Sequence, residues 1–151
     1  MDLRGITIDD VVPHRGAMRL VDRLLACDAN HVVVAAEIRI DHPFASDTGV
    51  PGWLGIEYMA QAIAAWSGCR ARRRKVPVQM GFLLGSRRYQ CARSQFAFGT
   101  QLRIEAHCEL FDNDGMGMFS CRILIGDEAI AQANLAVFEP QDPTFLESQT
   151  R

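Results

Sequence analysis

The stretch between residues 54 and 66 constrains the fold more than any other part of the chain, because it is apolar on nearly every side of a helix. A Pro-Gly pair stands shortly before it and suits the first turn of a helix, and its only strongly polar side chains are Glu57 and Gln61. A helix with this composition presents no face to solvent, so it is expected to be buried. The sequence therefore predicts a central helix that the rest of the chain must cover.

Glu57 is the sharpest chemical signal within this predicted helix. A buried carboxylate is costly unless it is paired, protonated or used in chemistry, and burial by itself raises the pKa of a carboxyl group. The spacing of four residues puts Glu57 and Gln61 on one face of the helix, so the polarity is confined to a single stripe. Two interpretations follow: a functional carboxyl group, or a buried salt bridge to an arginine of a neighbouring strand.

The chain on either side of the helix has the pattern of short strands joined by tight turns. Apolar or alternating runs come twice before the helix and four times after it, and clusters of Asp, Asn and Gly separate them. Gly68 is the predicted end of the helix, with continuation to Arg72 as the alternative. The predicted strands are the second half of 13–27, then 31–40, 78–91, 100–110, 116–125 and 129–138.

This order of elements predicts an α+β domain over residues 1–138, in which an antiparallel sheet wraps around one long central helix. Residues 139–151 contain two prolines and mostly polar side chains, and are predicted to form a loose C-terminal tail. A single sheet leaves part of an all-apolar helix uncovered. A homodimer whose sheets pair edge to edge would cover it.

Composition excludes several classes of protein. A formal net charge of -2 over 151 residues argues for neither nucleic acid nor a membrane surface as the partner. No apolar run approaches the roughly 20 residues that span a bilayer, and the N-terminal residues lack the basic start and apolar core of a signal peptide. The five cysteines are scattered without a CxxC pair, which favours reduced thiols in the cytoplasm over a disulfide framework or a metal site.

Two motifs flank and overlap the helix start. Residues 13–23 read PHRGAMRLVDR, and His42 is followed at residues 51–61 by PGWLGIEYMAQ. These segments resemble the P-H-R-x-P-x-x-L-V-D-R and H-F-P-G-x-P-x-x-P-G-V-L-x-x-E-x-M-A-Q motifs of the hot-dog-fold 3-hydroxyacyl-[acyl-carrier-protein] dehydratases. The resemblance covers residues 8–138, and within it P-G-x-L-x-x-E-x-M-A-Q is the specific part.

The resemblance implies a hot-dog fold and the removal of water from a 3-hydroxyacyl thioester, which gives a trans-2-enoyl thioester. It implies that His42 is the base for the C2 proton, since an imidazole titrates near neutral pH, and that Glu57 is the acid for the departing hydroxyl. The backbone N–H of Gly52 would bind the thioester carbonyl. Gln61 is expected to orient its neighbours by hydrogen bonding and Trp53 to contact the substrate. Trp53, Trp66 and the region from Phe82 to Leu84 are the candidates for setting the depth of the acyl tunnel.

The resemblance also implies the partners of the chain. In this family the active site is assembled across a homodimer, so the resemblance implies that His42 works with Glu57 of the partner subunit. The substrate arrives on the phosphopantetheine arm of acyl carrier protein. Proton transfers suffice for the reaction, so neither a cofactor nor a metal is expected. The remaining histidines, His14, His31 and His107, are interpreted as structural or surface residues.

The loop after His42 departs from the family motif. Glu57 follows His42 by fifteen residues, where the family motif has fourteen. The variant sequence, HPFA followed by GWLGIEYMAQ, is most similar to the dehydratases of aryl-polyene-type pathways, in which fatty-acid-like chains are built.

Basic residues gather after the helix and again further along the chain. One interpretation is a solvated helix end and turn without a specific role. The other is a docking surface for the acidic carrier protein. The residues are Arg70, Arg72, Arg73, Arg74 and Lys75, with Arg87, Arg88 and Arg93.

Two other functions remain open on the sequence. A hot-dog thioesterase would use Glu57 to activate water and would have no need of His42. A non-catalytic acyl-binding subunit would have His42 displaced by the longer loop.

Overall fold

The computed structural model describes residues 2–140, in which one long helix packs against a six-stranded antiparallel sheet. None of the helices in this part of the chain is long and apolar enough to cross a membrane. The elements are β1 (Arg23–Cys27), β2 (His31–Glu37), β3 (Gly49–Pro51), α1 (Gly55–Arg73), β4 (Phe82–Cys91), β5 (Gln95–Ala97), β6 (Gln101–Phe111), β7 (Met116–Ile125) and β8 (Glu128–Phe138), with short 3-10 turns at Ile8–Asp10, Gly16–Met18 and Gly52–Leu54.

The main sheet has the strand order β1-β2-β6-β7-β8-β4, so β1 and β4 are its edges. Every neighbouring pair is antiparallel, including the predicted hairpin of β1 and β2. The predicted fold class and all six predicted strands are therefore confirmed. A second sheet of two short strands, β3 and β5, is not predicted by the sequence analysis. Its strands of three residues are too short to show an alternating pattern.

Helix α1 runs past its predicted end. It continues to Arg73, so Gly68 does not end the helix, and the alternative of a helix that runs on to Arg72 is closer to what the structure contains. A glycine is required at position 68 for a different physical reason. A Cβ at Gly68 would lie 1.9 Å from the carbonyl oxygen of Val11, so this glycine lets the N-terminal segment pack against the helix backbone. The basic residues Arg72 and Arg73 consequently lie in the last turn of the helix, where they complement its dipole.

The core fills the space between α1 and the concave face of the sheet. Tyr58, Met59 and Ala62 are fully buried on the helix, and Ile104 and Leu135 are fully buried on the sheet. A different stripe of the helix, formed by Ile56, Ala60 and Ala64, is only half-buried. The incomplete cover that the sequence predicts for an apolar helix is thus present in this chain.

The first two residues of the predicted tail, Glu139 and Pro140, pack against the domain. Glu139 and Pro140 are buried, and the hydroxyl of Ser67 on α1 donates a 2.7 Å hydrogen bond to a carboxylate oxygen of Glu139. The rest of the predicted tail, residues 141–151, lies outside the described residues.

Candidate active site

A cavity of about 340 Å³ lies at the start of α1, and both His42 and Glu57 line it. His42 comes from the loop between β2 and β3, while Glu57 belongs to the first turn of the helix. The remaining lining is almost entirely apolar and comes from the N-terminal segment, the His42 loop and the helix start: Ala17, Met18, Leu20, Pro43, Phe44, Trp53, Leu54 and Ile56. The fold therefore brings together the two residues that the sequence singles out.

The imidazole of His42 is buried, with 8% of its surface exposed. Its Nδ1 accepts a hydrogen bond of 3.0 Å from the backbone N–H of Phe44, and its Nε2 is buried with no hydrogen-bond partner among the described residues. Burial lowers the pKa of His42 below the ordinary 6.5, and the charge of Arg39 lowers the pKa further, against a smaller opposing effect of Asp41. The neutral form of the imidazole is therefore favoured.

The role of base expected for His42 stays a prediction. Its loop turns back within two residues, so the N–H of Phe44 engages Nδ1. Nε2 is therefore the ring nitrogen that remains for a substrate in the cavity.

Glu57 is half-buried, so it is less buried than the apolar helix predicts. Its side chain faces the cavity, and its Oε1 accepts a hydrogen bond of 3.2 Å from the Nε2 amide of Gln61. The alternative interpretation of a buried salt bridge is not what the structure contains, because the ion pairs of the described residues do not include Glu57.

Gln61 is fully buried and has a partner for each polar atom of its amide. Besides Glu57, its Nε2 donates to the carbonyl of Met18 at 2.7 Å, and its Oε1 accepts from the N–H of Leu20 at 2.8 Å. It thereby ties the N-terminal segment, the helix and the carboxyl group together. This agrees with the orienting position predicted for Gln61.

Gly52 does not offer a free N–H, contrary to the expectation from the sequence. Its N–H donates to the carbonyl of Ser94 at 2.8 Å, and its carbonyl accepts from the hydroxyl of Tyr89 at 2.6 Å. A Cβ at this position would lie 2.2 Å from the carbonyl oxygen of Arg93, so Gly52 is needed for close backbone approach. The next N–H at the helix start belongs to Trp53, which lines the cavity and lies in the turn whose first N–H groups lack intrahelical partners.

Trp53 stands at the mouth of the cavity, as predicted for a substrate-contacting residue. Its side chain is 61% exposed, and its ring lies 6.1 Å from that of Phe44 in an edge-to-face arrangement. Met18, also 62% exposed, lines the same cavity. The mouth is therefore bordered by large exposed apolar side chains.

A second, narrower cavity of about 130 Å³ lies on the other side of Glu57, between the helix and the strands at the β4 edge. Trp66 and Phe82, which the sequence analysis names as candidates for setting tunnel depth, both line it. Much of the remaining lining is aromatic or aliphatic: Ile63, Phe111, Phe119, Val137 and Phe138. Glu57 thus borders a wide cavity with His42 and a narrow apolar cavity beyond it.

His14 lies closer to this site than the sequence analysis predicts. It lines the narrow cavity together with Glu57, and its Nδ1 is buried without a hydrogen-bond partner among residues 2–140. Burial lowers the pKa of His14, and the nearby charge of Glu57 opposes that effect. The Pro-His-Arg motif is the sequence signal that could have identified His14. The structure places this histidine beside Glu57.

The predicted docking arginines do not form one patch within the chain. Arg72 lies seventeen residues after Gly55 on α1, which is roughly 25 Å along a helix. Arg87 and Arg88 instead precede Tyr89, which contacts the helix start through Gly52 and Gly55. Arg88 lines a groove on the outer face of the sheet, together with Glu105, Arg122 and Asn134. The basic residues of β4 are therefore at the level of the helix start, and those of the helix C-terminus are at the opposite end.

Comparison with known proteins gives the same class as the fold and the site. Residues 6–147 match the ApeP-like family, described as ApeP dehydratase. The 3-hydroxyacyl-[acyl-carrier-protein] dehydratase FabZ of Bordetella pertussis is 30% identical over 149 residues, covering 89% of this chain and 93% of the relative. FabZ of Bordetella bronchiseptica matches with the same identity and coverage.

Solved structures show the same fold. A chain of the dehydratase heterocomplex ApeI:P from Xenorhabdus doucetiae superposes with a TM-score of 0.88 at 30% identity, over 97% of this chain and 98% of that chain. A hypothetical thioesterase from Streptococcus pneumoniae, solved with coenzyme A, has a TM-score of 0.60 at 13% identity, over 78% and 84% of the two chains. The second likeness concerns the fold alone.

The fold and the family therefore define a hot-dog dehydratase. More specifically, the chain belongs to the ApeP-like dehydratase family, which confirms the aryl-polyene-type branch that the HPFA…GWLGIEYMAQ sequence indicates.

Proposed function

We propose that this chain removes water from a 3-hydroxyacyl thioester carried by acyl carrier protein and releases the trans-2-enoyl thioester. The observation that carries the proposal is one cavity at the helix start that both His42 and Glu57 line, in a chain of the ApeP-like dehydratase family. Dehydration needs a proton acceptor, a proton donor for the hydroxyl and a hydrogen-bond donor for the thioester carbonyl. We assign the proton acceptor to His42, the proton donor to Glu57 and the carbonyl donor to the N–H of Trp53, which follows the bonded N–H of Gly52 at the start of the helix.

The two cavities on either side of Glu57 support this assignment. The narrow cavity is lined by aromatic and aliphatic side chains, which suits an acyl chain. The wider cavity opens past Trp53 to the surface, which suits the thioester and its phosphopantetheine arm. The elimination breaks the C2–H and C3–O bonds with proton transfer as the only catalytic chemistry and no change of oxidation state overall, so the proposed reaction includes no cofactor and no metal. A cytoplasmic location stays a prediction.

One assay tests the function against its alternatives. The full-length protein is offered a 3-hydroxyacyl thioester on carrier protein or on pantetheine, and both enoyl absorbance and free thiol are followed. Enoyl product without thiol supports the dehydratase. Thiol without enoyl product would identify a thioesterase, and binding without either product would identify an acyl-binding subunit.

We further propose that a second hot-dog subunit covers the β4 edge, in a homodimer with the active sites near the interface. In support, β4 is an edge strand with exposed Leu83 and Leu84, and Ile56, Ala60 and Ala64 are only half-covered on the helix. The structural neighbour from Xenorhabdus doucetiae is a heterocomplex. Sedimentation at micromolar concentration separates the two assemblies, since a homodimer has twice the chain mass, whereas a chain that is monomeric alone requires a different partner.

A further inference from the structure

We propose that Cys27 and Cys69 form a redox-active pair, which a peroxide attacks at Cys27 and converts into a disulfide between the edge strand β1 and helix α1. The inference goes beyond the proposed dehydratase function and does not depend on it, because neither cysteine lines the two cavities beside Glu57.

The first argument concerns the position of the two cysteines. Cys27 is the last residue of β1, Cys69 lies in the C-terminal half of α1, and both side chains belong to the same buried core cluster. The Nε1–H of Trp66, one turn before Cys69, donates a 3.1 Å hydrogen bond to the carbonyl of Ala29. This bond holds residues 27–29 against the part of the helix that carries Cys69.

The second argument concerns the contact between the two sulfur atoms. The thiols of Cys27 and Cys69 are hydrogen-bonded to each other, and the guanidinium group of Arg73, one turn further along the helix, is hydrogen-bonded to the sulfur of Cys27. Cysteines that lie far apart cannot be bridged without movement of the backbone. Two thiols that already touch meet the first geometric requirement for a disulfide.

The third argument concerns reactivity, because the thiolate and not the thiol is the nucleophile. The hydrogen bond from Cys69 and the positive charge of Arg73 lower the pKa of Cys27, against the opposing effect of burial. The same hydrogen bond and burial raise the pKa of Cys69, so this thiol stays protonated. Burial also raises the pKa of Cys108 and of Cys121. Cys27 is therefore the nucleophile of the pair, and Cys69 is the second thiol.

The fourth argument concerns access. β1 is the edge of the sheet opposite to β4, and residues 28–30, which follow it, are exposed. The side chain of Cys27 is 6% exposed, whereas that of Cys69 is fully buried. A small oxidant that enters at this turn meets the sulfur of Cys27 first.

The proposed reaction transfers two electrons to hydrogen peroxide. The Cys27 thiolate attacks one peroxide oxygen, the O–O bond breaks and hydroxide leaves, so that Cys27 becomes a sulfenic acid. The sulfur of Cys69 then attacks the sulfur of Cys27, and the S–O bond breaks. The departing oxygen takes the proton of the Cys69 thiol and leaves as water. The thiolate and the thiol are oxidised to one disulfide, and the peroxide is reduced to water and hydroxide.

Peptide mass mapping of the full-length protein after exposure to hydrogen peroxide tests the bridge directly. We expect one pair of peptides linked through Cys27 and Cys69, which a dithiol reductant separates again. The number of free thiols should fall from five to three. If both cysteines stay reduced, or if Cys27 is linked to a second chain, the proposal is wrong.

Serine variants test the order of attack. Cys69→Ser lacks the second thiol, so we expect the sulfenic acid to persist on Cys27, where dimedone traps it. Cys27→Ser lacks the nucleophile, so Cys69 should stay reduced. The matched control is Cys91→Ser, which replaces a half-buried cysteine outside the pair and should leave the yield of the bridge unchanged. Trapping on Cys69 in the Cys27→Ser variant would contradict the proposal.

Arg73 is the positioning residue of this pair, and its effect is measured in the Cys69→Ser background. Arg73→Gln removes the positive charge beside Cys27, so we expect dimedone trapping to become several-fold slower. Arg73→Lys keeps the charge and should restore most of the rate, which a merely structural role would not explain. Equal rates with Arg, Gln and Lys at this position would overturn the assignment of Cys27 as an activated thiolate.

Discussion

At the scale of single residues, Gln61 connects the candidate site to the rest of the chain. Gln61→Leu would leave the backbone N–H of Leu20 and the carbonyl of Met18 without their partner and would release Glu57. An unsatisfied buried group costs about 1–3 kcal/mol, so we expect a loss of roughly 2–5 kcal/mol in the free energy of unfolding. Urea denaturation measures it.

The matched control for this change is Gln132→Leu. Gln132 is an exposed glutamine of β8 whose amide bonds only the side chain of Gln90, at 3.2 Å. Its replacement should change the free energy of unfolding by less than about 0.5 kcal/mol. Equal effects of the two substitutions would show that Gln61 does not hold the N-terminal segment.

The lowered pKa of His42 predicts a pH dependence of stability. Below pH 6.5 the unfolded chain takes up a proton on this residue, whereas the folded chain resists until its lower pKa is reached. The contribution of His42 to the free energy of unfolding is therefore fully present above pH 6.5. It decreases as the pH falls from 6.5 through the pKa of the folded state. His14, whose pKa is also lowered by burial, adds a decrease of the same sign.

Denaturation of the wild type and of His42→Gln at pH 7.5 and pH 5 measures the contribution of His42. We expect a smaller loss of unfolding free energy between the two pH values in the variant, and a still smaller loss when His14→Gln is added. An unchanged loss in both variants would assign the dependence to other groups.

At the scale of elements, Tyr89 on β4 fixes the start of α1. Its hydroxyl binds the carbonyl of Gly52 at 2.6 Å, and it occupies the space that a Cβ of Gly55 would take, 2.0 Å from that hydroxyl. Because the peptide between Gly52 and Trp53 is trans, the bond to the carbonyl also fixes the opposite direction of the Trp53 N–H. An edge strand thereby orients the candidate carbonyl donor.

Tyr89→Phe should therefore lower kcat while changing KM little, and should cost about 1 kcal/mol of stability. Gly55→Ala should be strongly destabilising in the wild type, but less so in the Tyr89→Phe background, since the hydroxyl that meets the new Cβ is gone. A double-mutant cycle on the free energy of unfolding measures this coupling. Additive effects would mean that Tyr89 and Gly55 do not depend on each other.

At the scale of the whole molecule, the two basic regions offer a controlled test of carrier docking. Arg87→Glu with Arg88→Glu changes the end of the molecule at the level of the helix start, and Arg72→Glu with Arg74→Glu changes the far end of the helix. We expect the first pair to raise KM for carrier-linked substrate at low salt, because carrier protein is acidic and steering falls with ionic strength.

The second pair of substitutions is the control, and we expect it to have little effect on KM. Neither pair should change the kinetics of a small pantetheine thioester, which has no carrier to dock. If KM rises only in the variant with Arg72→Glu and Arg74→Glu, the docking surface lies at the helix C-terminus instead. Equal losses with carrier-linked and small substrates would contradict docking by either region.

The sequence by itself determined those features that depend on local periodicity and turn chemistry. Alternating strands, tight turns and an apolar helix fix the fold class, and the spacing of four residues places Glu57 and Gln61 on one face. The motif also identifies His42 and Glu57 as the residues to examine. The tertiary structure was needed for what these residues contact.

Only the tertiary structure decided the hydrogen-bond partners, because these come from distant parts of the chain or from the exact path of a loop. The N–H of Gly52 donates to the carbonyl of Ser94 and is thereby engaged within the chain, and close packing on Val11 explains the glycine at position 68. The N–H of Phe44 decides which nitrogen of His42 is engaged within the chain and which remains for a ligand. A sequence pattern states which side chains are present, whereas their partners depend on where the folded chain brings distant atoms together.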